Sequence, residues 1–295
     1  MQHFDYHKAV NLEEACEALT DSKGPAVLLA GGTDLMLKLK EGKLRPARVI
    51  DLKGIQGMDR VSVSENELSI GALVTMRTLE TSAPVLTKAP LLAQAAAQVG
   101  SVQVRYRATL GGNLCNAAPS TETAPALLAL DAKAEIHGKS GTRIVELVDF
   151  FLGPGATILK EDEVLTALKI PLNENQQGAV YYKLSARKAM DIAFVGVAVL
   201  LEVDRKGSIL KARIALGAVA PTPIRAVAAE MVLEGKRLDA ALAEESSRLA
   251  AQACRPISDI RASAEYRRQM TSQLCRRGLF AAYHQVTSQK QGDRI

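Results

Sequence analysis

The chain has 295 residues, 47% hydrophobic and 23% charged, which is enough for two domains with cores of their own. That balance excludes a disordered, collagenous or coiled-coil chain as a whole. The net charge of +5, from 37 Lys and Arg against 32 Asp and Glu, is too mild for the footprint of a nucleic-acid binder.

Residues 12–19 carry apolar positions at helical spacing. Residues 26–30 (AVLLA) predict a short strand that stops at Gly31-Gly32. Thr33 and Asp34 then stand as a helix N-cap before Leu35, Met36 and Leu39. Residues 48–52 (RVIDL) predict a second strand, so the opening reads strand, glycine turn, helix, strand. A further strand is predicted over 67–73, and helices over 76–82 and 90–99. Residues 100–119 predict a long irregular stretch that holds a second glycine pair, Gly111-Gly112. A short helix over 124–130 precedes a hairpin, 134–137 and 142–145, around GKSG. A strand over 163–170 ends at Pro171.

The polar run 172–178 (LNENQQG) marks a domain boundary. Beyond it, strands near 180–184, 193–203 and 209–218 precede helices at about 224–233, 239–253 and 262–285. Strands first and helices afterwards is an α+β arrangement. The tail after Val286 is polar and expected to fray. The basic pairs Arg267-Arg268 and Arg276-Arg277 predict a solvated helix face, with an acidic partner subunit as the alternative. The longest apolar run, residues 192–201, is half the length needed to span a bilayer and predicts a buried strand or core helix. The N-terminal decapeptide lacks the charged and apolar segments of a secretory leader.

The chemistry sits in the glycine pairs. Adjacent glycines permit a backbone that turns several N–H groups inward, and such a concavity suits phosphate oxygens. A strand-to-helix turn adds the positive end of a helix dipole. One such pair alone is a tight turn; two could clamp a diphosphate from both sides. Neither loop continues as Gly-Lys-Ser/Thr or as GxGxxG, so P-loop and Rossmann sites are unsupported. Cys16, Cys115, Cys254 and Cys275 are scattered, which argues against a self-contained zinc or iron-sulfur site. No histidine falls in either loop, and Cys115 beside the second reads as a small core residue.

The flanking residues carry a resemblance. AGGTDLMLKLKEG, RVIDL, SIGALVTM, VGSVQVRYRATLGGNLCNAAPSTETAPALLALDA, EVLTALKIP, YYKLSARKAMDIAFVGVAV and GAVAPTPIRA follow in that order. Together they closely resemble the FAD-binding subunits of the xanthine dehydrogenase family of molybdenum hydroxylases, which includes the medium subunit of aerobic carbon monoxide dehydrogenase. The resemblance spans residues 4–283. It implies an α+β fold, with a two-lobed FAD domain of the vanillyl-alcohol-oxidase-like type over 1–175 (lobes about 1–56 and 57–175). A small C-terminal domain of antiparallel strands then helices would cover 176–286, with a polar tail over 287–295.

The same resemblance implies the site. Ala30, Gly31, Gly32, Thr33, Asp34 and Leu35 match the first diphosphate loop, and Thr109, Gly111, Gly112 and Asn113 the second. Gly71, Ala72 and Thr75 match a strand end near the cofactor. Glu122 stands where relatives carry an Asp that hydrogen-bonds it. Leu165 and Lys183 match positions near the isoalloxazine ring, and Ile192 an apolar residue over its face. Asp34 is expected to turn away from phosphate, since like charges repel. Core packing alone would also explain Leu165 and Ile192, and a solvated strand face would explain Lys183. Two departures precede the second loop: Tyr106 replaces Asn, and Ala108 replaces a Gly, where a positive φ would be costly.

As implied function, non-covalent FAD would relay electrons from a small two-[2Fe-2S] subunit, served by a large molybdenum-cofactor subunit, to NAD or a quinone. The complex would be a cytoplasmic dimer of heterotrimers, a heterohexamer, with no membrane span in this chain and no nucleic acid. The alternatives are the flavin subunit of a hydroxybenzoyl-CoA reductase-like enzyme and a non-catalytic flavin-binding accessory protein.

Overall fold

The computed structural model describes residues 3–21, 24–172 and 175–292, with the side chains of 289–292 excepted. Its first lobe holds β1 (Asp5–Lys8), α1 (Leu12–Thr20), β2 (Ala26–Leu29), α2 (Leu35–Lys40) and β3 (Arg48–Asp51). The strands form a parallel sheet in the order β1-β3-β2. Parallel strands need crossovers, and α1 and α2 supply them. Asn11 caps α1 through the Glu14 amide, and the Glu14 carboxylate reaches back to the Val10 amide.

The second lobe contains β4 (Val61–Val63), β5 (Glu67–Gly71) and six short helices: α3 (Met76–Thr81), α4 (Ala83–Lys88), α5 (Pro90–Ala96), α6 (Val102–Arg105), α7 (Leu110–Cys115) and α8 (Thr123–Ala129). It closes with β6 (Lys133–Gly138), β7 (Gly141–Glu146), the small pair β8 (Phe151–Gly153) and β9 (Ala156–Thr157), and β10 (Val164–Pro171). Its antiparallel sheet runs β4-β5-β10-β6-β7. Central β10 is buried along almost its whole length, because β5 and β6 pair with its two edges and α7 and the first lobe's α1 pack on it.

The rest comprises β11 (Gln177–Leu184), β12 (Val195–Val203), β13 (Ile209–Gly217), β14 (Ile224–Arg225), α9 (Val227–Met231), α10 (Ala240–Ala253) and α11 (Ala264–Gly292). The four strands form an antiparallel sheet in chain order. Every residue of β12 is buried, since α11 packs on one face of the sheet and α8 on the other. That double cover explains the unbroken apolar run in the sequence, where a half-exposed strand would alternate. One hydrophobic cluster fills the C-terminal domain. The other fills both flavin lobes and also takes in Ala179, Tyr181, Ala198, Leu200 and Ala215 from the C-terminal strands. Among the described residues no helix is long and apolar enough to cross a membrane.

Several expectations change. The stretch 100–119 is not irregular: it contains α6 and α7, started by Ser101 and Thr109, whose hydroxyls accept from the Val104 and Gly112 amides. The helix expected at 224–233 begins as strand β14, because Ile224 and Arg225 pair with Leu216 and Ala215 on β13. The polar end does not fray at Val286: α11 continues to Gly292. Asp34 makes no capping hydrogen bond.

Of the basic pairs, Arg268, Arg276 and Arg277 reach solvent but Arg267 does not. Arg267 is buried, and its guanidinium donates to the Phe194 carbonyl at 3.1 Å, the Ala218 carbonyl at 3.0 Å and Asp259 at 2.8 Å. Asp259 also accepts the Arg261 and Ala262 amides. The Arg261 amide and then Arg267, acting against partial burial, hold the Asp259 carboxyl at about 2, down from 3.8.

Two outcomes follow. Arg267→Met should remove about 3 kcal/mol of stability, by leaving two carbonyls and a carboxylate without their cation, and a lowered thermal midpoint reads this directly. A depressed carboxyl stabilises the fold above its unfolded pKa, and that stabilisation disappears as pH falls from about 4 to about 2. Asp259→Asn should flatten the denaturation free energy across that window.

Candidate functional site

The first loop leaves β2 at Ala30 and enters α2 at Leu35. Gly32 takes φ +79°, which a side chain would resist. Gly31 is glycine for a different reason: a Cβ there would collide with the Arg107 carbonyl oxygen and stand 3.1 Å from the Ala108 Cα. No acceptor among the described residues takes the amides of Gly31, Gly32, Thr33, Asp34 or Leu35. These donors are therefore left without a protein partner, while the Asp34 side chain is exposed.

The second loop packs against it. Thr75 and Thr109 form an isolated antiparallel bridge. The Leu110 amide donates to Val74 O at 2.9 Å, the Gly111 amide to Ala72 O at 2.8 Å and the Met76 amide to Ala108 O at 2.9 Å. A Cβ on Gly111 would lie 2.7 Å from the Ala72 Cβ; one on Gly112 would lie 2.9 Å from Thr109 Oγ1 and 3.9 Å from the Ala30 Cβ. Gly71 is equally confined, by the Met58 carbonyl. Ala30, Gly31, Gly71, Ala72, Thr75, Thr109, Gly111 and Gly112 thus lie along one closely packed seam. Thr123 Oγ1 fixes the Asn113 side chain at 2.5 Å, and Lys38 Nζ ties α2 to Asn116 at 2.7 Å.

The loops are not equivalent, which corrects the expected two-sided amide clamp. The amides of Leu110, Gly111, Gly112 and Asn113 all have protein acceptors, the last two on Thr109. Gly111 and Gly112 have no positive φ either. Their small size lets backbone approach backbone; the open donors belong to the first loop. Ala108 likewise keeps an ordinary backbone, bonded through its amide to Val104 O, so no turn is lost there. The Tyr106 ring lies under the Arg77 guanidinium, 5.8 Å away.

Lys183 is the largest surprise. It does not lie on a solvated face: its side chain is 6% exposed, and its Nζ donates to Glu122 Oε1 at 2.8 Å, Asp191 O at 2.8 Å and Gln98 O at 3.0 Å. An ammonium has three N–H bonds, so all are occupied. Glu122, 12% exposed, answers from the flavin lobe. Beside this pair Tyr181 is fully enclosed, and burial, then the Glu122 charge, push its hydroxyl well above its ordinary range. Asp191 O anchors the loop that carries Ile192, whose side chain is about half exposed. Leu165 sits buried in β10 at a register shift opposite β6.

Sequence reasoning missed Lys53, which joins Asp51 at 2.7 Å to the Ala30 carbonyl at 3.2 Å. Tyr6 donates to the same Asp51 at 2.6 Å. Burial opposes ionisation of Asp51, but Lys53 and Tyr6 outweigh it and hold the carboxyl low. Nothing in residue spacing announces this relay, because β1 and β3 meet only in the folded sheet. A depression of about 390 Å³ opens beside it, lined by Lys53, Gly57, Arg60, Leu73 and Thr75. The half-buried Cys115 thiol is pushed up to about 12 by burial, which leaves it a poor nucleophile.

Comparison with known proteins decides the family. Residues 2–173 match the FAD binding domain in molybdopterin dehydrogenase, and residues 180–282 the CO dehydrogenase flavoprotein C-terminal domain. The chain is 35% identical over 264 residues to the xanthine dehydrogenase FAD-binding subunit of Escherichia coli O157:H7, covering 89% of this chain and 90% of that one. It is 32% identical over 280 residues to the carbon monoxide dehydrogenase medium chain of Hydrogenophaga pseudoflava, covering 95% and 97%. A solved structure of carbon monoxide dehydrogenase from Hydrogenophaga pseudoflava, lacking the Mo-pyranopterin moiety of its cofactor, superposes with a TM-score of 0.93 at 33% identity, over 97% of this chain and 99% of that one. The chain belongs to the FAD-binding subunits of the xanthine and carbon monoxide dehydrogenase family. It is an oxidoreductase subunit with FAD as its cofactor.

In this flavin subunit the glycines should rank by what they touch. Gly31→Ala and Gly111→Ala drive a methyl into backbone and should lower bound flavin about a hundredfold in affinity. Gly112→Ala meets the Thr109 hydroxyl rather than backbone, and should lose less than tenfold; flavin absorbance of the purified variants measures the order. Lys183→Met should cost about 3 kcal/mol by stranding the Glu122 carboxylate. The double variant with Glu122→Gln should recover part of that in thermal denaturation, as coupled partners do.

Proposed function

We propose that the subunit holds one non-covalent FAD in the cleft between its lobes and relays electrons through it. The cleft fits the group: it has a row of open amides, and it has walls in which an added Cβ would fill the available space. The amides of Gly31, Gly32, Thr33, Asp34 and Leu35 would hold the diphosphate, with Ala30, Thr109, Gly111, Gly112 and Asn113 as the close opposite wall. Gly71, Ala72 and Thr75 would support that wall. Glu122, Leu165, Lys183 and Ile192 would face the ring end. FAD supplies a centre that takes up two electrons and passes them on singly or in pairs. The division of labour would be a flavin domain over 1–175 and a C-terminal domain over 176–286.

Two [2Fe-2S] clusters of a small partner subunit would deliver the electrons, after substrate oxidation at a molybdenum centre in a large subunit. An external acceptor, NAD or a quinone, would remove them. The complex would be a dimer of heterotrimers in the cytoplasm. The observation that carries this reading is the set of unanswered amides on a loop locked in place by the second lobe. Relatives give the context: one solved structure is described as a Cu,Mo-CO dehydrogenase. Among the described residues no three His, Cys, Asp or Glu side chains gather to hold a metal, so this reading puts the metal chemistry in the partners.

Within it, the protein groups have distinct tasks. Lys183 cannot donate a hydrogen bond to the ring without releasing one of its three acceptors. Its charge is paired with Glu122, and its role is to clasp the Ile192 loop through Asp191 O and to hold Glu122 in place at the ring end.

Acid precipitation should release free yellow FAD into the supernatant; flavin left on the denatured chain would refute non-covalent binding. Under anaerobic conditions the isolated subunit should be bleached by dithionite and not by any substrate of the complex. Adding the partner subunits should restore bleaching by substrate. Direct reduction of the isolated chain by substrate would place the active site here and end the relay reading.

A further inference from the structure

A line of polar contacts crosses the first lobe's parallel sheet from β1 to the end of β2. Tyr6 on β1 donates to Asp51 Oδ2 at 2.6 Å. Asp51 is the last residue of β3 and is 4% exposed. Its Oδ1 accepts the Lys53 amide at 2.9 Å and the Lys53 ammonium at 2.7 Å. That ammonium also donates to the Ala30 carbonyl at 3.2 Å, one residue beyond β2. Open parallel sheets bind ligands at the carboxyl ends of their strands, and Asp51 and Ala30 stand at those ends.

The Ala30 carbonyl and the Gly31 amide belong to one peptide unit, and the described residues include no cis bond. In a trans peptide the C=O and the N–H point in opposite directions. By holding the oxygen, Lys53 turns the Gly31 N–H to the other side of the peptide, where no described residue accepts it. This peptide needs holding. Residue 31 is glycine because the Arg107 carbonyl occupies the space of a Cβ. The same lack of a Cβ removes the steric barrier to a change of φ. A flip would present the Ala30 oxygen where an anion needs a donor. Lys53 opposes that flip with a charge-assisted hydrogen bond, and Asp51, itself held by Tyr6, keeps the ammonium in place.

We propose that Lys53 is a positioning residue for the cofactor: its bond to the Ala30 carbonyl aims the Gly31 N–H at the diphosphate. This rests on the flavin reading above, and it extends the site to a residue outside both glycine loops. The effect is preorganisation: a donor already turned to the ligand spares binding the cost of turning it.

The test is titration of FAD into the full-length chain stripped of its flavin, with the thermal midpoint of the flavin-free chain recorded beside it. Asp51→Asn combined with Lys53→Met removes the donor while leaving the local net charge at zero. The new carboxamide can accept the residue 53 amide through its oxygen and donate to the Tyr6 hydroxyl through its nitrogen. This double variant should bind FAD about tenfold or more weakly, with its flavin-free midpoint within about 3 °C of wild type. Lys53→Arg returns a donor and should stay within about threefold of wild-type affinity. Wild-type affinity in the double variant overturns the proposal and leaves the flavin reading intact. So does a Lys53→Arg chain as weak as the double variant. A midpoint that falls beyond that range along with the affinity makes Lys53 a strut of the sheet, and the proposal fails. A wild-type chain that takes up no FAD ends the flavin reading and this one together.

Discussion

The Arg107 carbonyl lies where a side chain on residue 31 would have to stand, and the geometry of the cleft depends on that contact. It presses the end of β2 against the link between α6 and α7, so one lobe's turn is shaped by the other lobe's backbone. The Thr75–Thr109 bridge and the Gly111-to-Ala72 hydrogen bond fix the far side of the same seam. With the seam closed, the second lobe's amides have partners and the first lobe's do not. The two sides therefore differ: amides without a protein acceptor on the α2 side, and amides already bonded to Val74, Ala72 and Thr109 on the α7 side. A buried donor left unanswered is costly, and an anionic group placed there relieves that cost.

Two ionic junctions hold the C-terminal domain to this cleft. The first is Lys183 with Glu122. The second centres on Asp131, where Lys211 and Arg225 approach at 2.8 Å and Arg213 at 3.1 Å. Asp131 pays for its place with a left-handed backbone, φ +49°. Burial works against its ionisation, but Lys211 and Arg213 keep the carboxyl low. Arg225 continues the network to Glu230, whose carboxylate also accepts the Ile214 amide. One junction sits by the candidate ring end and the other on the far side of α8, so the C-terminal sheet is pinned at two separated points.

Much of the fold was legible because local signals were strong. The apolar strands β2, β3, β10 and β12 and the GKSG hairpin all carry their own markers, and the two glycine pairs mark turns that meet in the fold. What escaped depended on distant partners. The helices α6 and α7 are too short for periodicity, and a glycine pair in the first turn of α7 hid its Thr109 cap. Strand β14 is a strand only because β13 offers it an edge. Arg267 and Lys183 look solvated in a sequence, since their acceptors are carbonyls and carboxylates tens of residues away. The site residues were placed by resemblance; their division into amide donors and close-packing glycines required coordinates.

The flavin lobes do not finish their own core. Ala179, Tyr181, Ala198, Leu200 and Ala215 complete it from the C-terminal sheet. A ribosome delivers the chain from the N-terminus, so the lobes emerge with an apolar face open and wait for β13 before it can be covered. During that interval the unfinished face is a hazard for association with other nascent chains. The Glu122 carboxylate cannot meet Lys183, nor Lys183 clasp the Ile192 loop through Asp191 O, until β11 has been made and docked.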